Sequence, residues 1–197
     1  MKAAQGRPDP ALAQYQVDFE RLNFIRPIGS GSFGRVYLAM WQETPVAVKI
    51  LLDRGRDFAT MTAAQVMTIA SPVLKELNRE AGLMASLRHS NIVQFMGVCT
   101  TPPAIITEYC SAGSLRDVLS AAMTTPGVAN QLLWSCRINM AIDAAQGMAY
   151  LHNHTPQVVH RDLKANNLLV EDSWKVKIAD FNLSKLLYVP PKTIFFL

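Results

Sequence analysis

The chain has 197 residues, half of them apolar and only 17% charged, with a formal net charge of +4. That balance excludes a disordered chain, because there is ample apolar surface to offset chain entropy, and the scattered Lys and Arg exclude a basic nucleic-acid-binding arm. A membrane span is excluded too, since the longest uncharged stretches, such as Phe58 to Leu74, are broken by Thr, Gln, Ser and Pro.

The first residues lack the apolar core of a signal peptide, and Cys99, Cys110 and Cys136 form no C-x-x-C pair, so an intracellular, reduced protein is expected. Residues 1–18, with Gly6, Pro8 and Pro10, read as a flexible leader. From Phe19 to Leu51 the pattern is β: Phe24-Ile25, then Val36-Tyr37-Leu38 after a glycine turn, then Pro45 to Ile50. Asp53 to Ser71 has no clean period and reads as a loop holding at most a short helix. Pro72, taken as the first helical residue after Ser71, opens an amphipathic helix ending near His89. Ile92 to Val98 and Ala104 to Tyr109 read as two further strands. Ser114 with Asp117 has the spacing of a capping box, and Leu132 to His152 reads as a long helix burying Trp134, Ile138, Ala141, Ile142, Ala145, Met148 and Ala149. Short strands at Leu168–Val170 and Val176–Ala179 follow. The layout is α+β: five strands with one helix inserted, then a mainly helical segment.

Several motifs bear chemistry. Gly29-Ser30-Gly31-Ser32-Phe33-Gly34, with Val36, is a G-x-G-x-x-G-x-V loop. Its glycines let backbone amides approach phosphate oxygens, although a plain hairpin turn fits the same residues. A strand follows it where a dinucleotide fingerprint would open a helix. Lys49 ends the apolar Val46-Ala47-Val48 run, either as a snorkelling edge lysine or as the partner of a buried anion. Glu80 is the candidate anion, with Glu76 the nearby acid that fits a solvated face. His160-Arg161-Asp162-Leu163-Lys164-Ala165-Asn166-Asn167 concentrates groups able to bind protons, phosphates or metals directly after an apolar strand. Asp180-Phe181-Asn182 puts a carboxylate at a strand end.

In this order, these motifs resemble the eukaryotic protein kinase catalytic domain, over about residues 19–185. The resemblance implies a bilobal fold with a five-stranded antiparallel N-lobe sheet and one helix in 19–109, interrupted by an insertion at about 53–71, and a partial C-lobe in 110–185 followed by an atypical tail, 186–197. It also implies ATP and Mg²⁺ as cofactors. Lys49 would hold the α and β phosphates and pair with Glu80, Asp162 would accept or orient the substrate hydroxyl proton, and Asn167 and Asp180 would ligate the metal. Lys164 would contact the transferring phosphate and favours serine/threonine specificity. The nucleotide would further meet Ile28, the glycine loop, Val36, Ala47 and Leu169, with Thr107 as a small gatekeeper and the Glu108 carbonyl and Cys110 amide as adenine partners. Met84, Phe95, His160 and Phe181 fall where the family stacks a spine, and ordinary core packing fits them equally. The style of the motifs is similar to the tyrosine-kinase-like group, Raf-like branch.

Three departures stand out. Lys49 and Glu80 are 31 residues apart, long for the family; Asn182 stands where the family has glycine; and no Ala-Pro-Glu follows Asp180, so a C-terminally truncated domain is expected. Asn at that position is the non-glycine residue that best tolerates positive φ. Arg161, which would ground a phosphorylated activation loop, has no evident partner in the sequence. The expected activity is γ-phosphoryl transfer from Mg·ATP to Ser or Thr of a protein, the alternative being a non-catalytic nucleotide-binding or interaction module. An apolar face uncovered on the Trp134 to Leu151 helix is also expected.

Overall fold

The computed structural model describes residues 10–31, 34–51 and 63–187, with the side chains of 63–71 excepted. Ser32, Phe33, residues 1–9, most of the 53–71 insertion and residues 188–197 lie outside the described residues. The chain forms two compact units, the first built from residues up to Arg88 together with Val93–Tyr109, the second from His89–Ile92 together with Cys110 onward.

The first unit is a sheet with one helix. Strands β1 (Leu22–Gly31), β2 (Gly34–Trp41) and β3 (Thr44–Ile50) precede helix α1 (Ala63–Ser86), and β4 (Phe95–Thr100) and β5 (Pro103–Glu108) complete an antiparallel sheet of order β1-β2-β3-β5-β4. Gln42 and Glu43 both have positive φ, which gives the tight turn between β2 and β3 the twist that antiparallel strands require. Pairing register sorts the side chains by face: Val46 and Val48 lie with Ala39, Ala104 and Ile106 in one buried cluster, while the alternate residues Ala47 and Lys49 pair with Thr107 and Ile105.

Two expectations are corrected here. Helix α1 does not begin at Pro72; it starts nine residues earlier, at Ala63, and Pro72 lies inside it. A helix spanning 63–71 also means that this part of the expected loop is regular structure, so the missing N–H of Pro72 leaves one gap in a long ladder rather than marking its start. The leader is not flexible from Pro10 onward. Pro10–Tyr15 is a 3₁₀ helix with Leu12 buried, and Val17 enters the buried cluster of the sheet.

The second unit contains helices α2 (Leu115–Thr124), α3 (Pro126–Gln131) and α4 (Trp134–Asn153), then short strands β6 (Gln157–Val159), β7 (Leu168–Val170), β8 (Val176–Ile178) and β9 (Lys185–Leu187). The capping box forms as read: the Ser114 hydroxyl accepts from the Asp117 amide, and the Asp117 carboxylate accepts from the Ser114 amide. β7 pairs with β8, and β9 pairs antiparallel with β6, so the tail assigned from 186 begins as paired strand.

The buried stripe on α4 is not the expected one. Met140, Gly147 and Leu151 face inward, while Trp134 is 74% exposed and Ile138 and Ile142 are 42% and 46% exposed. Gly147 explains the choice of face: a Cβ there would stand 2.7 Å from the Asn91 carbonyl oxygen and 2.8 Å from Ile178 Cδ1, so only glycine lets β8 and the 89–92 turn approach so closely. The apolar residues opposite, Trp134, Ile138 and Ile142, form the exposed face expected on this helix, and Leu119 and Met123 on α2 are exposed as well.

Candidate functional site

In the first unit, Lys49 Nζ lies 2.9 and 3.2 Å from the two carboxylate oxygens of Glu80. Glu80 is 2% exposed and the Lys49 side chain 18%, which settles both sequence alternatives: Lys49 is not a snorkelling edge residue, and its anion is Glu80. The pair forms because β3 is an inner strand and α1 packs on β4 and β5 beside it. Val36 stands directly across from Lys49 and Thr107 across from Ala47, so these four share one face of the sheet. The glycine loop bridges β1 and β2, with Gly29 across from Val36 and Gly31 across from Gly34. Gly34 has φ +142° and a Cβ there would fall 2.1 Å from the Ile50 carbonyl oxygen, so no other residue fits. Ile28 is half-buried on β1. Glu108 ends β5 with its carboxylate accepting from the Gln94 amide at 2.7 Å, and the Thr107 hydroxyl donates to the Glu108 carbonyl at 3.2 Å.

In the second unit, Asp162 is the hub. Its carboxylate accepts from Lys164 Nζ at 2.7 Å and from Asn167 Nδ2 at 2.9 Å, and the same Nδ2 donates to the Asp162 carbonyl at 2.9 Å. The Lys164 hydrogen bond first, and that from Asn167 with it, hold the Asp162 carboxyl below its ordinary pKa of 3.8, keeping it ionised. His160 is buried and its pKa is pushed below 6.5, chiefly by burial. Its Nδ1 accepts from the Asp162 amide, so the neutral ring carries its proton on Nε2 and donates to the Ala179 carbonyl at 2.9 Å. The Ala179 amide donates to the Asn167 carbonyl at 2.8 Å, which draws Asp180 toward Asn167. His160 and Phe181 meet edge to face at 5.1 Å.

Arg161 and Asp180 both have positive φ, 66° and 65°. Backbone strain of this kind gathers at functional positions, where surrounding contacts hold it in place. Asn182 does not take the left-handed conformation its identity permits; Asp180, two residues earlier, does. Arg161 has a partner after all, since its Nε donates to the Leu183 carbonyl, and the Ser184 hydroxyl donates to the His160 carbonyl at 3.2 Å. Leu169 is half-buried on β7, Cys110 is buried, and the Cys110 carbonyl accepts from the Gly113 amide.

Residues the sequence reading passed over fasten this site. Asn91 is 1% exposed; its Nδ2 donates to the Val176 carbonyl and its carbonyl accepts from the Ile178 amide, while Asp143 on α4 accepts from the Val176 amide. Together they fix β8, the strand that leads into Asp180. An Asn inside the apolar run Asn91-Ile92-Val93 was the available signal, because a buried amide must find partners. Among the described residues no helix is long and apolar enough to cross a membrane.

The family model described as protein tyrosine and serine/threonine kinase matches residues 22–193. The chain is 44% identical over 172 residues to "Probable serine/threonine-protein kinase drkA" of Dictyostelium discoideum, covering 86% of this chain and 24% of that protein. It is 46% identical over 167 residues to "Serine/threonine-protein kinase CTR1" of Arabidopsis thaliana, covering 84% of this chain and 18% of that protein. It is also 36% identical over 194 residues to "Dual specificity protein kinase splA" of Dictyostelium discoideum, covering 90% of this chain and 7% of that protein. The chain thus spans about a quarter or less of the length of these relatives. With the Lys49–Glu80 pair, the Asp162 hub and a family match running from the first strand past the last, this chain belongs to the protein tyrosine and serine/threonine kinase family.

Proposed function

We propose that the chain binds Mg·ATP and transfers its γ-phosphoryl group to a serine or threonine hydroxyl of a protein substrate, as an intracellular kinase of the Raf-like branch. The observation that carries the reading is the Asp162 carboxylate, kept ionised by Lys164 and oriented by Asn167. An oriented acceptor of that kind takes the hydroxyl proton as the substrate oxygen forms its bond to the γ-phosphorus, the bond to the β-bridging oxygen breaks and ADP departs. Lys164, beside Asp162, would neutralise charge on the transferring group. Lys49, fixed by Glu80, would hold the α and β phosphates; the glycine-loop amides would cover them; Ile28, Val36, Ala47 and Leu169 would pack on the adenine; and Thr107, Glu108 and Cys110 would line its polar edge.

The donor set fits Mg²⁺. Both hydrogens of the Asn167 amide are committed to Asp162, which leaves its Oδ1 for a cation, and Asp180 adds a carboxylate. Among the described residues no cluster of three His, Cys, Asp or Glu could hold an ion, in keeping with a metal bound by one or two side chains and otherwise by substrate phosphates. Bound there, the ion would neutralise charge developing on the phosphate oxygens.

The test is phosphorylation of a generic protein substrate from labelled ATP. Asp162→Asn is expected to lower kcat by about 10²–10⁴ with ATP affinity retained. Turnover that survived the substitution would refute this mechanism, and nucleotide binding without turnover in the unsubstituted chain would favour the non-catalytic module.

A further inference from the structure

Strand β1 breaks register twice, between Phe24 and Arg26 and between Pro27 and Gly29, so that Ile25 and Ile28 each lack a counterpart on β2. Successive strand residues point to opposite faces, and an extra residue reverses the faces of those beyond it. Phe24, across from Ala39, lies on the face of the buried cluster, where its ring meets Tyr37 at 5.5 Å and Phe19 at 5.0 Å. Strict alternation would return Arg26 to that face. The extra residue, Ile25, places it across from Leu38 instead, and Leu38 is across from Ala47, which is across from Thr107. Arg26 therefore begins a row on the face that carries Val36 and Lys49.

On this face Arg26 Nη2 donates to the hydroxyl of Tyr109, the residue that follows β5, at 3.4 Å. In the sheet order β1-β2-β3-β5-β4 two strands lie between them, a span of about 14 Å at the usual strand spacing, so the side chains meet above β2 and β3. Lys49 lies two residues along β3 from Ala47, toward the glycine loop, while Tyr109 lies two residues past Thr107 in the opposite direction. We infer that Arg26 and Tyr109 form a bar across this face on the side away from Lys49, and that they are positioning residues for the base of the nucleotide. The inference rests on the nucleotide reading proposed above and adds the group that closes the face opposite the phosphates. In that reading Lys49 holds phosphates and Ala47 packs on the adenine, so a bar beside Ala47 bears on the base alone. Arg26 is exposed and Tyr109 half-buried, so the contact is weak enough to open for a ligand and close over it.

The experiment has two arms, both on the full chain. Without ligand, arginine modification by phenylglyoxal is followed by mass spectrometry. Tyr109→Phe removes only the hydroxyl and is expected to raise the rate at Arg26 about threefold, with Arg21, which pairs with Asp18 at 3.2 Å, as the unchanged reference. With ligand, calorimetric affinities for ATP and for adenosine are compared. Tyr109→Phe and Arg26→Gln are each expected to weaken both ligands by the same factor of about three to five, and the double variant by no more than either single one. An unchanged Arg26 rate would overturn the inference whatever the nucleotide result. So would weakening of ATP without adenosine, which would place the pair's effect on the phosphates, and so would additive losses in the double variant, which would mean that the two residues act separately. A raised Arg26 rate in a chain that binds neither ATP nor adenosine would refute the proposed function, and the role of the bar within it, but not the bar.

Discussion

Each unit holds one lysine–carboxylate pair among the candidate residues, of nearly the same length: 2.9 Å for Lys49–Glu80 and 2.7 Å for Lys164–Asp162. Their surroundings differ. The first has side chains 18% and 2% exposed, the second 51% and 24%. A pair in low dielectric is held by the cost of leaving either charge alone, whereas a solvated pair of equal length adds little to stability. The first is therefore a fixture of the fold, placed by β3 and α1, and the second a solvated pair that the fold does not depend on.

That contrast orders the predicted effects. The largest is on stability at the buried pair: Lys49→Met strands the Glu80 carboxylate and is expected to destabilise the first unit by about 3–5 kcal/mol in denaturant unfolding. Glu80→Gln/Lys49→Met, which removes both charges, should recover most of that loss. Next comes Lys164→Ala, expected to change stability by less than about 1 kcal/mol while lowering kcat tenfold or more; an equal loss of stability at both lysines would erase the distinction. Third is pH. The His160 pKa is lowered from 6.5 in the fold, so the unfolded chain takes up a proton first as pH falls. Stability from this group is complete above 6.5 and declines as pH drops below it toward the folded value, and His160→Gln should flatten that part of a Tm–pH curve. The lowered Asp162 pKa acts likewise below 3.8, contributing above that value and fading as acid titrates the folded carboxyl. The smallest effect is at the uncovered face of α4: Trp134→Gln and Ile138→Gln should leave the melting temperature nearly unchanged and improve solubility, whereas Leu151→Ala, fully buried on the opposite face, should cost about 2–5 kcal/mol.

The same two units differ in how far they could be read from residues. Strand alternation is strict, so the sheet around Val46, Val48 and Lys49 is legible from the residues, whereas Glu80 as the partner of Lys49 is legible only through the resemblance to the kinase family. α4 was legible as a helix but not in its facing, because apolar residues occur on both sides of it and the deciding residue, Gly147, has no side chain to signal burial. The Asp162 hub was legible because its chemistry is local in sequence. The contacts that fasten it, Asn91 to Val176 and Asp143 to Val176, span 85 and 33 residues and leave no local trace. Pro72, whose usual place is a first turn, hides the start of α1, and a short proline-led sequence without a period hides the 3₁₀ helix Pro10–Tyr15.

The central claim is that Lys49, fixed by Glu80, holds nucleotide phosphates, and it is tested most directly by the thermal shift produced by millimolar Mg·ATP. The unsubstituted chain should be stabilised by an amount that grows with the logarithm of ligand concentration, and Lys49→Met, measured from its own lower baseline, should show almost no shift. Equal shifts in the two proteins, or no shift in either, would contradict the account.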